Sequence, residues 1–310
     1  MMSMRGMAAA LLAAGLSVMS TGCLKKILTD GQIKSTLVGS AGSATLQDFE
    51  VARGAAFAGI AQFEGMHYLA PDNPNALFLL TRTWAGATYG FIEDDYEIAY
   101  EKEDDVMAEY QLQRARAGYL RARYYGIEML GLTANGFEQA KRNNSTINAW
   151  LKENFDDKDQ AEVLLWAGYA WIAHVSASRE FPEAVAELFV GVAMVERSVE
   201  LDEELQFATG HTILGAYHAR TAMAELDESK KHFERALELN HGDYLPTKLN
   251  FAQRYYCATG NRKMYDKLMH EVISAPDTLP EARLPNTIAK RRARRYLLND
   301  IWQEECGFDS

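Results

Sequence analysis

Helix-breaking residues are scarce in this sequence. Only seven of its 310 residues are proline, and few stretches alternate strictly between apolar and polar, so long helices are favoured over strands. Cysteine is scarcer still, at three. None forms a Cys-x-x-Cys pair and no Cys/His set has zinc spacing, which excludes a dithiol redox motif and a zinc knuckle. Basic charge is in deficit: 32 Lys and Arg against 43 Asp and Glu leave a net charge of −11. Such a chain repels phosphate backbones, so nucleic acid is excluded as a partner. No apolar run reaches the roughly 20 residues that span a bilayer as a helix. His-Glu-x-x-His, the Gly-x-Ser-x-Gly elbow, phosphate-binding glycine loops and dinucleotide fingerprints are all missing. The expectation is a protein with no catalytic residues, no cofactor and no metal.

What is present begins with an export segment. Arg5 precedes an apolar run from Gly6 to Val18, and Met19-Ser-Thr-Gly-Cys23 follows. The basic start, the short run and the small residues at its end read as a signal peptide over residues 1–22. Gly22-Cys23 resembles the end of a bacterial lipobox, although Ser20 stands where Leu is usual. Cys23 is therefore the candidate lipidation site; the alternative is an ordinary secretory signal with an incidental cysteine. Leu24, rather than Asp, favours an outer-membrane destination. The expected location is the bacterial cell envelope, as a periplasm-facing lipoprotein anchored to the membrane by lipid. Residues 23–45 read as the lipidated terminus and a Gly/Ser-containing spacer.

Helical patterning occupies 46–300, with a short tail at 301–310. Met194-Val-Glu-Arg-Ser-Val-Glu-Leu-Asp202 recurs 38 positions later as His232-Phe-Glu-Arg-Ala-Leu-Glu-Leu-Asn240. A glycine is followed three residues later by a ring in Gly86/Tyr89, Gly168/Trp171 and Gly215/His218. Residues three apart share a helix face, so the small residue admits a partner helix and the ring fills the space beside it. Repeats of this kind predict an all-α fold: a degenerate tetratricopeptide-like helix-pair solenoid, with a C-terminal capping helix near Leu284–Leu298. Solenoids bind on curved faces, which moves the expectation from enzyme to binding protein. Asn73-Pro74 and Asp227 read as helix starts. Cys257 and Cys306 either pair or stay free. Two charge runs stand out. Glu93 to Asp105 carries eight acids and reads as a solvated segment or a dock for a basic partner. Lys290-Arg-Arg-Ala-Arg-Arg295 reads as the basic outer face of the capping helix.

Taken in order, several motifs resemble one family. They are Asp72-Asn-Pro-Asn-Ala-Leu77 leading to Gly86-Ala-Thr-Tyr89, Tyr119-Leu-Arg-Ala-Arg-Tyr-Tyr-Gly126, Leu165-Trp-Ala-Gly-Tyr-Ala-Trp171, the two seam repeats, and Leu284-Pro-Asn-Thr-Ile-Ala-Lys-Arg-Arg-Ala293. With the lipoprotein signal, the chain resembles the TatT-like T components of tetratricopeptide-repeat-associated TRAP (tripartite ATP-independent periplasmic) transporters, over roughly residues 46–300. The resemblance implies repeats around a cleft or pore, a homo-oligomer of trimer order, a periplasmic solute-binding protein as partner, and a small hydrophobic or carboxylated ligand. The alternative is a scaffold lipoprotein that organises envelope machinery through protein contacts alone.

Rings and cations supply the candidate ligand residues. Trp166 and Trp171 splay around one side of a helix with Tyr169 between them, where they line either a pocket or the core. Tyr124 and Tyr125 carry the same two readings. Arg121 has the fork that grips a carboxylate bidentately.

Overall fold

A computed structural model describes residues 26–220 and 225–308. Every regular element among them is helical and none is a strand. Helix α1 covers residues 26–40. After it come α2 (Phe49–Leu69), α3 (Pro74–Ala87), α4 (Glu93–Glu101), α5 (Asp105–Thr133), α6 (Asn144–Asn154) and α7 (Ala161–Ser176). The second half holds α8 (Leu188–Leu201), α9 (Leu205–His218), α10 (Leu226–Leu239), α11 (Leu245–Asn250), α12 (Arg262–Ser274), α13 (Arg283–Leu298) and α14 (Asp300–Glu305). Wide turns, Thr88–Ile92 and Phe251–Tyr256, extend α3 and α11. Among the described residues no helix is long and apolar enough to cross a membrane.

Local chemistry sets several boundaries. Asn73 caps α3, accepting from the backbone N–H groups of Asn75 and Ala76, with Pro74 at the first helical position. Asp48 and Asn261 cap α2 and α12 in the same way. Asp227, expected as a cap, sits instead in the first turn of α10, where a carboxylate suits the helix dipole.

Consecutive long helices pack serially. Helix α3 lies on α5, α5 on α7, α7 on α8, α8 on α9, and α9 on α10. At the tightest crossing, a Cβ added to Gly168 of α7 would meet the Gly191 carbonyl oxygen of α8 at 2.7 Å, and one on Gly191 would meet the Gly168 oxygen at 2.9 Å. Two bare backbones therefore touch, and only glycine fits both sides. Gly215 works similarly against the Phe233 ring. Gly86 does not: a side chain there would enter open space. The repeated seams fall on α8 and α10, where Ser198 and Ala236 are buried. Arg197 donates to the Phe155 carbonyl, and Arg235 is bidentate to Glu203.

The structure corrects both ends of the sequence reading. The expected spacer is largely helix α1, whose Ile33 is fully buried among Phe63, Met66 and Leu77. Ile33 and Leu37, one turn apart, give it an apolar stripe that outweighs the Gly/Ser content after it. The expected tail is docked: α14 buries Trp302, and Cys306 forms a disulfide with Cys257.

The charge runs are corrected as well. The acidic run is helix α4 as far as Glu101, and Asp94, Glu97 and Glu101 meet the arginines of α13 across about 200 positions of sequence, while Glu103, Asp104 and Asp105 are exposed as expected. Arg295 donates to Asp94 at 2.7 Å and pairs with Glu97, while its Nε lies 3.0 Å from Glu101. Arg291 donates to Asp94 at 2.9 Å. Asp94 is 1 % exposed and Arg292 4 %. An arginine stripe with no acids within hydrogen-bond reach on its own helix finds its counter-charges on α4, and burial follows from that pairing. Helix α13 also touches α2 and residues 41–45, so the last long helix returns to the first ones.

Candidate functional site

This return brings Tyr89, Glu93, Tyr119, Tyr169 and Arg292 together as one polar and aromatic cluster among α3, α4, α5, α7 and α13. Glu93, at the start of α4, has 30 % of its side chain accessible although it lies deep in the protein. The Tyr119 hydroxyl donates to Glu93 Oε1 at 2.7 Å, and Arg292 approaches Glu93 Oε2 at 3.4 Å. Arg292 also donates to the Tyr89 carbonyl at 2.7 Å and lies 4.2 Å from the Tyr89 ring centre. Burial pushes the Glu93 carboxyl above its ordinary range, against the opposing pull of Arg292 and Tyr119. Burial also raises the Tyr119 and Tyr169 phenols well above theirs.

Tyr169 is the hub of the aromatic wall. Its ring meets Tyr119 at 6.4 Å, Tyr89 at 6.5 Å and Trp166 at 6.0 Å, all edge to face. The indole N–H of Trp166 is buried with no hydrogen-bond partner among the described residues, a state that costs about 1–3 kcal/mol unless a water or another acceptor meets it. Burial raises the phenol of Tyr244, before α11, to about 12. Phe207 stacks on Tyr244 at 5.1 Å. The backbone at Gln206, Phe207 and Ala208 is left-handed, with φ of 49°, 61° and 59°. Non-glycine residues adopt that region at a cost of about 1–2 kcal/mol each, and here it turns the Phe207 ring onto Tyr244.

The other expected ligand residues go elsewhere. Trp171 is fully buried, donates to the Glu187 carbonyl at 3.0 Å and lies under the Arg123 guanidinium. Its ring belongs to the apolar core with Phe137 and Met194. Arg121 does grip a carboxylate bidentately, but that of Glu64, at 2.9 and 3.1 Å. Trp84 and Tyr125 donate to the same carboxylate, at 3.0 and 2.5 Å. With four donors Glu64 is satisfied, its pKa is lowered, and Arg121 is committed within the fold. Tyr125 is wholly buried there, while Tyr124 faces solvent. Among the described residues no group of three or more His, Cys, Asp and Glu is placed to hold a metal ion. Cys23 and residues 1–22 lie outside the described residues.

A family model described as TRAP transporter T-component matches residues 45–301. The chain belongs to that family. Comparison with curated proteins finds no match. As a TRAP T component, the protein is part of a transport system of the cell envelope.

Of the cluster, the sequence indicated Trp166 and Tyr169, with Tyr89 and Tyr119 visible only as members of helix motifs. Glu93 and Arg292 were hidden inside charge runs that read as surface. Their one signal was complementarity: a block of acids near one end and a block of arginines near the other.

Proposed function

We propose that this T component binds a small ligand at the cluster of Tyr89, Glu93, Tyr119, Tyr169 and Arg292, and cooperates with a periplasmic TRAP solute-binding protein. Support comes chiefly from Trp166: its N–H is buried beside an aromatic wall, with no partner among the described residues. Rings accept apolar bodies of many shapes, while Trp166 and the Glu93–Arg292 pair supply a few oriented polar contacts. Small hydrophobic or carboxylated molecules fit that mixture. Because α13 returns to α2–α4, we read the helices as a degenerate tetratricopeptide-like solenoid in which α13 serves as closure as well as cap. The protein has no catalytic role in this reading. It is a lipoprotein held by Cys23 on the periplasmic side of the outer membrane, and it works as a homo-oligomer of trimer order.

Native mass spectrometry of the chain from residue 24, with and without a periplasmic TRAP solute-binding protein from the same organism, tests the proposal. A discrete oligomer that binds that protein or retains a small molecule supports it. A ligand-free monomer that ignores it favours the scaffold reading.

A further inference from the structure

Four large apolar side chains are exposed at one end of the molecule. Ile27 is 66 % exposed, Leu28 65 %, Tyr68 85 % and Leu69 63 %. The first two begin α1 and the last two end α2. The fold brings these ends together: Asn73, just beyond α2, donates to Asp30 of α1 at 2.8 Å, and Ile33 packs with Met66. Serine 40 at the other end of α1 meets Arg82 of α3, so α1 runs alongside α3 and antiparallel to α2. Exposed apolar side chains grouped at one end of a fold mark an interaction site. Its place relative to the chain decides the occupant. Cys23 lies only three residues before Lys26, a reach of at most about 11 Å. An acylated Cys23 therefore keeps this tip within that reach of the bilayer.

We propose that Ile27, Leu28, Tyr68 and Leu69 form a membrane-docking tip that inserts into the lipid surface beside the anchor and fixes how the cluster is oriented above it. The proposal rests on the reading of Cys23 as the lipidated residue. Interfacial binding scales with buried apolar area and is strengthened by nearby cations. Lys26 and Lys34 are exposed on the same helix, but Lys26 is paired with Asp30 and Asp72 is also exposed nearby. Charge is thus nearly balanced at the tip, and the contact is mainly apolar.

Two measurements separate the proposal from the reading beneath it. The intact mass of the mature protein extracted from membranes shows whether Cys23 carries acyl chains; its failure would overturn the anchor without testing the tip. The tip is tested with the unlipidated chain from residue 24, which contains every described element, by flotation with phosphatidylethanolamine/phosphatidylglycerol vesicles. The native chain is expected to float with the vesicles with little dependence on salt. Leu28→Glu with Leu69→Glu should lower partition roughly tenfold, with an unchanged thermal midpoint, because both side chains are exposed. Tyr124→Glu, on an exposed site of α5, should change nothing. Equal flotation of the native and doubly substituted chains would overturn the proposal. So would loss of an oligomer in the double variant without vesicles, since the tip would then be a contact between copies.

Discussion

The crossing of α7 with α8 and the seam between α4 and α13 hold helices together by opposite means. At the first, Gly168 and Gly191 bring backbones into contact over an apolar core. At the second, Asp94, Glu97 and Glu101 face Arg291, Arg292 and Arg295 in a buried ionic network. The crossing joins neighbours in sequence, so close apolar packing with small residues suffices. The seam joins segments far apart, where many helix faces could compete. Charges removed from water tolerate few partners, so the network selects one docking even where its net stabilisation is small. It also places Glu93 and Arg292 in the cluster, one residue from Asp94 and Arg291.

Removing one partner from the network should be the costliest change. Arg295→Met removes the arginine from Glu101 and leaves Asp94 with Arg291 and Glu97 with Arg292 alone, and we expect a loss of about 3–5 kcal/mol in chemical denaturation. If the variant unfolds like the native chain, the seam is peripheral. The Cys257–Cys306 disulfide holds α14 beside the seam across 49 positions. Its removal by Cys306→Ser should cost about 2–4 kcal/mol, read as a lower denaturation midpoint under oxidising conditions and no difference under reducing ones. Gly168→Ala tests the other region and should cost about 1–3 kcal/mol by overpacking. A thermal midpoint at the native value would mean that the crossing can spread freely.

The contrast can be sharpened with pH. His174, between Arg116 and Arg123, and His232, beside His211, are both brought to about 4 from 6.5, chiefly by burial. Folded, they bind fewer protons than the unfolded chain between those values. Stability therefore rises with pH through the window and is lost as pH falls from 6.5 toward 4. His232→Asn should flatten that slope in denaturation midpoints measured across the range. Glu93→Gln should have the smallest effect. A carboxyl whose folded pKa is raised costs stability once ionised, so the amide should be neutral or stabilising by under about 1 kcal/mol. A large loss would make Glu93 a structural member of the network, whereas weakened retention of a ligand at native stability would place it in the binding site.

The sequence made the middle of the fold legible because its signals are local. The Met194 and His232 seams, the Gly168/Trp171 and Gly215/His218 pairs and the Asn73 cap each act within one or two turns of helix. The ends were not legible for the opposite reason. Ile33 looked like part of a spacer because its partners, Phe63 and Leu77, lie 30 or more positions away. The charge runs looked solvated because each is unpaired within its own helix face. Of the ligand candidates, Tyr169 and Trp166 reach the cluster, while helical spacing alone could not separate them from Trp171, two residues on and turned into the core. Arg121 has the right chemistry, but Glu64 already occupies its fork.

The account depends most on the ends closing as one unit, and hydrogen exchange measured by mass spectrometry on the native chain and on Arg295→Met tests that directly. Amides of α4 and α13 should share one level of protection in the native chain and lose it together in the variant, while α7 and α8 keep theirs. Exchange of α13 at its own faster rate in the native chain, with α4 still protected, would contradict the closure and the cluster built on it.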